Sequence, residues 1–149
     1  MPFSLIRFNL IDPTLDSQSL SDRYKAMLDM AEFADQNGFF MATFEEHHGA
    51  DNAWSPTPLM NAGTVLARTT NLSASISALL LPLHDPIRVA EDIAVIDLMS
   101  GGRLTVIFGL GYRPSEYQLM GKDWDSRGKI MDESIQTLLD AWTGEPFQY

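Results

Sequence analysis

Residues 45–48 read Glu-Glu-His-His, and they hold two of the three histidines in the chain. Imidazole titrates near neutral pH, so it suits general acid or base work, and a carboxylate beside it can orient it and tune it. The four residues follow Phe39–Phe44, FFMATF, an apolar run without polar alternation. Such a run reads as a strand buried on both faces, typical of a parallel sheet, and parallel α/β folds place their binding sites at the carboxyl ends of strands. Side chains alternate along a strand, so His47 and His48 face opposite ways. One reaches a pocket while the other packs or caps. Glu46, His47, His48 and His84 also carry the atoms of a metal site, but their spacing matches no familiar ligand motif such as H-E-x-x-H, and the expectation is no metal.

Three other places could serve a site. Ser77-Ala78 is a pair of small residues inside a β-competent run, which suits either close strand packing or the approach of a flat ligand to the backbone. Gly109 and Gly111 clear space at the end of a later strand. They do not complete a G-x-G-x-x-G fingerprint, because Pro114 stands where its third glycine would fall. Arg103, at the start of that strand, is expected to make a structural ion pair, and Asp132, Glu133 and Asp140 to lie on a solvated helix surface.

The elements that must position these residues repeat one unit. Phe3–Leu10 reads as a strand, followed by a helix with a Ser19–Asp22 capping box, an apolar face of Tyr24, Met27, Leu28, Ala31 and Ala34, and a stop at Asn37-Gly38. After the central strand and a mixed loop, Thr57-Pro58 opens a second helix that runs to about Arg68. Asn71–Leu81 is the third strand, ended by Pro82. Asp85-Pro86 opens a third helix, apolar around most of its circumference and so expected to be buried, which Ser100-Gly101-Gly102 closes. Arg103–Phe108 is the fourth strand. A loop holding Arg113, Pro114 and Tyr117 leads to a last helix from about Ser126 to Trp142. Strand starts recur at intervals of 36, 33 and 31 residues. Eight such units would need roughly 270 residues, near the size of a (β/α)8 barrel. The chain holds four, so the expectation is the N-terminal half of a barrel, with an open flavodoxin-like sheet or a pair of half barrels as alternatives.

Composition sets the outer limits. The 149 residues are 45% hydrophobic and 20% charged, with a formal net charge of -10, which suits one globular domain and disfavours nucleic-acid or anionic-membrane partners. Without cysteine there is no disulfide, thiolate metal site or cysteine nucleophile. The first ten residues lack a signal peptide's basic and apolar regions, and no window holds eighteen uncharged apolar residues, so a soluble cytoplasmic protein is expected.

FEEHH, LLLPLHDPIRVAEDIAVIDLMSGGRL, GLGYRPSEYQLMG and the late R…ES…LLDAWTGEPF pattern together resemble the bacterial-luciferase-like, flavin-dependent monooxygenases, over nearly the whole chain. The resemblance implies a (β/α)8 TIM-barrel domain of which residues 1–149 are the N-terminal half. It implies reduced FMN at the barrel mouth, with the deazaflavin F420 as the alternative, and oxidation of a small organic substrate with O2 or, with F420, hydride transfer. His47 matches the position of a catalytic base, and Ser77-Ala78 that of a non-prolyl cis peptide lying against the flavin; Gly109 and Gly111, which clear space at the end of the fourth strand, are expected to bind the cofactor with them. Leu110 departs from luciferase, which carries a basic residue there for the flavin phosphate. A flavin reductase as the source of reduced cofactor and a homo-oligomer both fit this picture. A metal-dependent barrel hydrolase and a flavin-free, non-catalytic relative are the competing readings.

Overall fold

A computed structural model describes residues 3–149; Met1 and Pro2, which open the segment inspected for a leader, lie outside the described residues. In chain order the elements are β1 (Leu5–Phe8), α1 (Ser17–Gln36), β2 (Met41–Phe44), α2 (Pro58–Arg68), β3 (Ser73–Leu79), a single 3-10 turn (Leu81–Leu83), α3 (Pro86–Ser100), β4 (Leu104–Phe108), α4 (Pro114–Leu119) and α5 (Arg127–Thr143). The four strands form one parallel sheet in the order β1-β2-β3-β4. Repeated βα crossovers of one hand give that order when every helix returns along the same face.

The register shows which face that is. Phe8, Phe44, Ile76 and Val106 stand side by side across the sheet. They pack into one apolar cluster with Met27 and Ala31 of α1, Val65 of α2, Val89 of α3 and Leu138 of α5. One residue out of step, Arg7, Thr43, Ser75 and Thr105 line the opposite face, which no helix among the described residues covers. On that side Leu5 and Ile107 of the two edge strands are 55% and 53% exposed. A doubly wound, flavodoxin-like sheet would reverse its strand order and carry helices on both faces. This sheet does neither: it is an arc of a barrel wall.

Several local expectations are corrected. β2 is buried on its helix side only, since Ala42 and Phe44 are sealed while Met41 and Thr43 face the open side. The N-cap of α1 is Asp16, whose carboxylate accepts the Ser19 amide; the Ser19 hydroxyl turns instead to the buried Asp12. Helix α3 begins and ends as expected, with Asp85 capping the Arg88 amide and Gly101 left-handed at its C-cap. It is not a buried helix, however: Val95, Leu98 and Met99 are exposed, because the sheet covers only one side of it. The segment after β4, expected as a loop, folds into the short helix α4.

At the amino ends of the strands, side chains saturate backbone groups. The Asp35 carboxylate accepts the amides of Thr70, Asn71 and Leu72 at 2.9, 2.7 and 2.6 Å. Burial raises its pKa, and these three bonds together with the charge of Arg103 outweigh burial and lower it. The Arg103 guanidinium donates to the carbonyls of Ser100, Leu72 and Leu66 and to the Thr69 hydroxyl. Arg103 is structural as expected, but it holds carbonyl oxygens rather than a carboxylate.

Candidate active site

The carboxyl ends of β2, β3 and β4 surround an open cavity of about 440 Å³. His47, Ser77, Ala78, Gly109 and Gly111, which stand far apart in the sequence, all line it, together with Trp54, Leu80 and Tyr112. A larger groove of about 710 Å³ lies outside the barrel wall between α2 and α3. It holds none of the candidate residues.

His47 lies three residues past the end of β2, lines the cavity and is 7% exposed. Its Nδ1 lies 2.8 Å from Glu116 Oε1. That same oxygen accepts the His48 amide at 3.1 Å; a carboxylate only accepts, so Nδ1 is the donor of the pair. The proton-accepting lone pair is thereby placed on Nε2, which has no protein partner among the described residues. Trp54 and Tyr112 meet the imidazole edge-on, with ring centroids 4.3 and 5.7 Å away. Glu116 is 1% exposed, and its second oxygen, Oε2, has no hydrogen-bond partner among the described residues.

Glu116 comes from α4, 69 residues after His47. Arg113 caps the helix, Pro114 occupies its first position, and the fully buried Tyr117 anchors it. The Tyr117 hydroxyl donates to the Leu110 carbonyl at 2.5 Å, and Trp124 packs edge-on against the ring. Sequence reasoning missed Glu116, Trp54 and Tyr112. The signal available for Glu116 was Pro114, a residue suited to the first turn of a helix.

His48 turns the other way, as alternation requires, into a separate cluster. Its Nε2 donates to Glu46 Oε1 at 2.7 Å, and His84 Nε2 donates to the same oxygen at 2.6 Å. Glu46 Oε2 accepts the Leu80 amide at 2.6 Å. Burial alone would push the Glu46 carboxyl up; the bonds from His48 and His84, the charge of His84 and the Leu80 amide reverse this and hold it at about 2. The Glu46 bond in turn raises His48 above its ordinary value, against desolvation. The ligating atoms of Glu46, His48 and His84 lie within 4.8 Å of one another. An ion there would have to displace two imidazole protons from bonds already made to Glu46. His47, the fourth member of the metal set weighed from sequence, belongs instead with Glu116.

The Ser77–Ala78 peptide bond is cis. Gly109 is needed for a specific reason: a Cβ there would stand 2.8 Å from the Ala78 Cβ. Its missing side chain therefore makes room for Ala78 directly, and for a ligand only through Ala78. Gly111 has φ +74°, a left-handed conformation that favours glycine, while a Cβ there would meet only ordinary contacts with Tyr117 and Leu80. The cationic side chain lining the cavity is Arg7, and it is paired with Glu45.

The lining brings the Ser77-Ala78 peptide and Leu80 together with His47 and its two aromatic neighbours, Trp54 and Tyr112. A phosphate finds no free cation among the lining residues.

The chain belongs to the luciferase-like monooxygenase family, whose description it matches across residues 1–149. It is 28% identical to the oxygenase component of the flavin-dependent trigonelline monooxygenase of Acinetobacter baylyi, over 97% of this chain and 40% of that protein. It is 31% identical to the FMNH2-dependent dimethylsulfone monooxygenase of Pseudomonas putida, over 80% of this chain and 34% of that protein. Among solved structures, the oxygenating constituent of the Pseudomonas putida 3,6-diketocamphane monooxygenase, determined with FMN, superposes on the whole chain with a TM-score of 0.89 at 20% identity, using 42% of its own length. The fold is therefore that of the (β/α)8 barrel, of which this chain holds four units. The chain spans about two fifths or less of the length of these relatives. No helix among the described residues is long and apolar enough to cross a membrane.

Proposed function

We propose that the protein is the flavin-binding part of a luciferase-like monooxygenase that oxidises a small organic substrate with O2 and reduced FMN. The observation that carries the reading is the convergence of His47, Ser77, Ala78, Gly109 and Gly111 on one cavity at the carboxyl ends of three adjacent strands, in a chain of this family. In this reading residues 1–149 are the first half of the barrel, and four further βα units close the open face. The protein works in the cytoplasm beside a flavin reductase that supplies its cofactor; the relative named as an oxygenase component is the precedent for that division of labour.

Reduced flavin supplies the electrons that activate O2. The chain's own residues do the rest. Ser77, Ala78 and Leu80 offer the surface on which the ring lies, and Gly109 lets Ala78 sit where it does. Trp54 and Tyr112 exclude water from the imidazole edge. Glu116 fixes His47 in the tautomer whose Nε2 takes or returns a proton at the reacting centre. His48, Glu46 and His84 hold the ends of β2 and β3 together without touching the substrate.

The test is anaerobic titration of the full-length protein with reduced FMN and with reduced F420, followed by admission of air and substrate. Tight FMN binding with O2-dependent turnover is expected. Turnover with F420 and none with FMN would replace the oxygenase reading by hydride transfer, and binding of neither would leave a flavin-free relative.

A further inference from the structure

Every arginine among the described residues but one is committed. Arg7, Arg23, Arg68 and Arg88 pair with carboxylates, and Arg103 and Arg127 donate to backbone carbonyls. Arg113 has neither kind of partner among the described residues, in a chain with twenty acidic residues and ten basic ones. Its guanidinium lies 5.6 Å from the Trp54 ring centroid and 5.4 Å from that of Tyr112. A cation–π contact uses the charge of a guanidinium and none of its N–H donors, which stay available in the fork geometry that suits a planar oxyanion. Two more groups at the same corner await a partner. Trp54 Nε1 is buried without an acceptor among the described residues, and Tyr112, which lines the cavity, is 68% exposed.

We propose that Arg113, held beside Trp54 and Tyr112 at the edge of the His47 cavity, recognises an oxyanion carried by a planar ring compound that enters it. The chemistry required is a flat π surface for the two aromatic rings and a carboxylate or phosphate for the guanidinium fork. Two molecules could bring it, a heteroaromatic carboxylate substrate or the phosphate end of the cofactor. The proposal rests on the flavin reading for the second source alone.

The experiment measures two pairs of affinities on the full-length protein by titration calorimetry: nicotinate against nicotinamide, and FMN against riboflavin. Within each pair the ring is shared and the anionic group differs. In the wild-type protein the anionic member of at least one pair should bind more tightly. Arg113→Met should reduce that preference about ten- to hundredfold, the range for a lost charge-assisted hydrogen bond, and Arg113→Lys should restore part of it. A change confined to nicotinate assigns Arg113 to substrate, and one confined to FMN assigns it to cofactor. Loss of the nicotinate preference in a protein that binds neither flavin would support the anion site while removing the flavin reading. The proposal is overturned if the wild-type protein shows no preference in either pair, a result that needs no variant to fold. It is equally overturned if Arg113→Met melts at a lower temperature but keeps both preferences, because the arginine is then a packing clamp.

Discussion

The two ends of the sheet use buried charge in opposite ways. At the amino ends Asp35 and Arg103 give nearly everything they have to backbone amides and carbonyls. At the carboxyl ends Glu46 and Glu116 bind histidines, and polar atoms are left over: Glu116 Oε2, Trp54 Nε1 and the Arg113 guanidinium. A group that closes a backbone hydrogen bond has finished its work when the chain folds. A group held in place with capacity to spare is available to something that arrives later. This is the division between a stabilising and a reacting face that barrel folds show in general, here visible residue by residue.

The comparison can be broken from either end. The largest effect belongs to His47→Ala in the full-length protein, which should lower turnover about 10²- to 10⁴-fold while leaving the melting curve and flavin affinity close to wild type; steady-state kinetics beside a thermal melt decides it. Next is Arg103→Ala. It orphans carbonyls at the other end and should cost about 2–4 kcal/mol in a denaturant melt, with turnover per folded molecule unchanged. If Arg103→Ala instead abolished turnover in folded protein, the two ends would not be separable.

Glu116→Gln keeps the shape of the His47 contact and removes its charge. The expected loss is about ten- to hundredfold in kcat with KM little changed, the usual scale for a group acting through its neighbour. An equal loss in KM alone would move Glu116 from positioning His47 to binding substrate.

The smallest effect is a pH dependence of stability set by Glu46 and His48. Glu46 falls from an ordinary value of 4.5 to about 2 on folding, so its contribution is present above 4.5 and lost as pH drops toward 2. His48 is raised from 6.5, so its contribution is complete below 6.5 and lost as pH climbs through the raised value. The cluster is therefore at its strongest between about pH 4.5 and 6.5. Replacing His48 by Ala should flatten the alkaline side of that profile in melts taken across pH, and should leave turnover of folded protein nearly intact.

How much of this was legible in the sequence depended on whether the information was local. Alternation at the end of β2 was enough to send His47 and His48 to different neighbourhoods. Asp-Pro and Thr-Pro pairs marked the starts of α2 and α3, because a proline at the first helical position is a local preference. The burial of α3 was misread because an apolar circumference records what a helix can bury, whereas its exposed Leu98 depends on what lies opposite. The pairing of Glu116 was hidden for a similar reason, although Pro114 marked the helix that carries the residue. Its partner is 69 residues away, and α4 is too short to display an apolar period. The pairing exists only once β2, β3 and β4 have been laid side by side.

The contact between positions 78 and 109 also constrains how this site can change over time. With Gly109 lacking a side chain 2.8 Å from where Ala78 carries one, the two positions share a single allotment of space. A lineage that acquires alanine at 109 must already have given up the methyl at 78, so the order of substitutions matters and the reverse order passes through a damaged intermediate. Gly109→Ala should accordingly be harmful in the present background and mild after Ala78→Gly. Such a pair drifts as a unit, so a comparison of many descendants should find the two sites changing together.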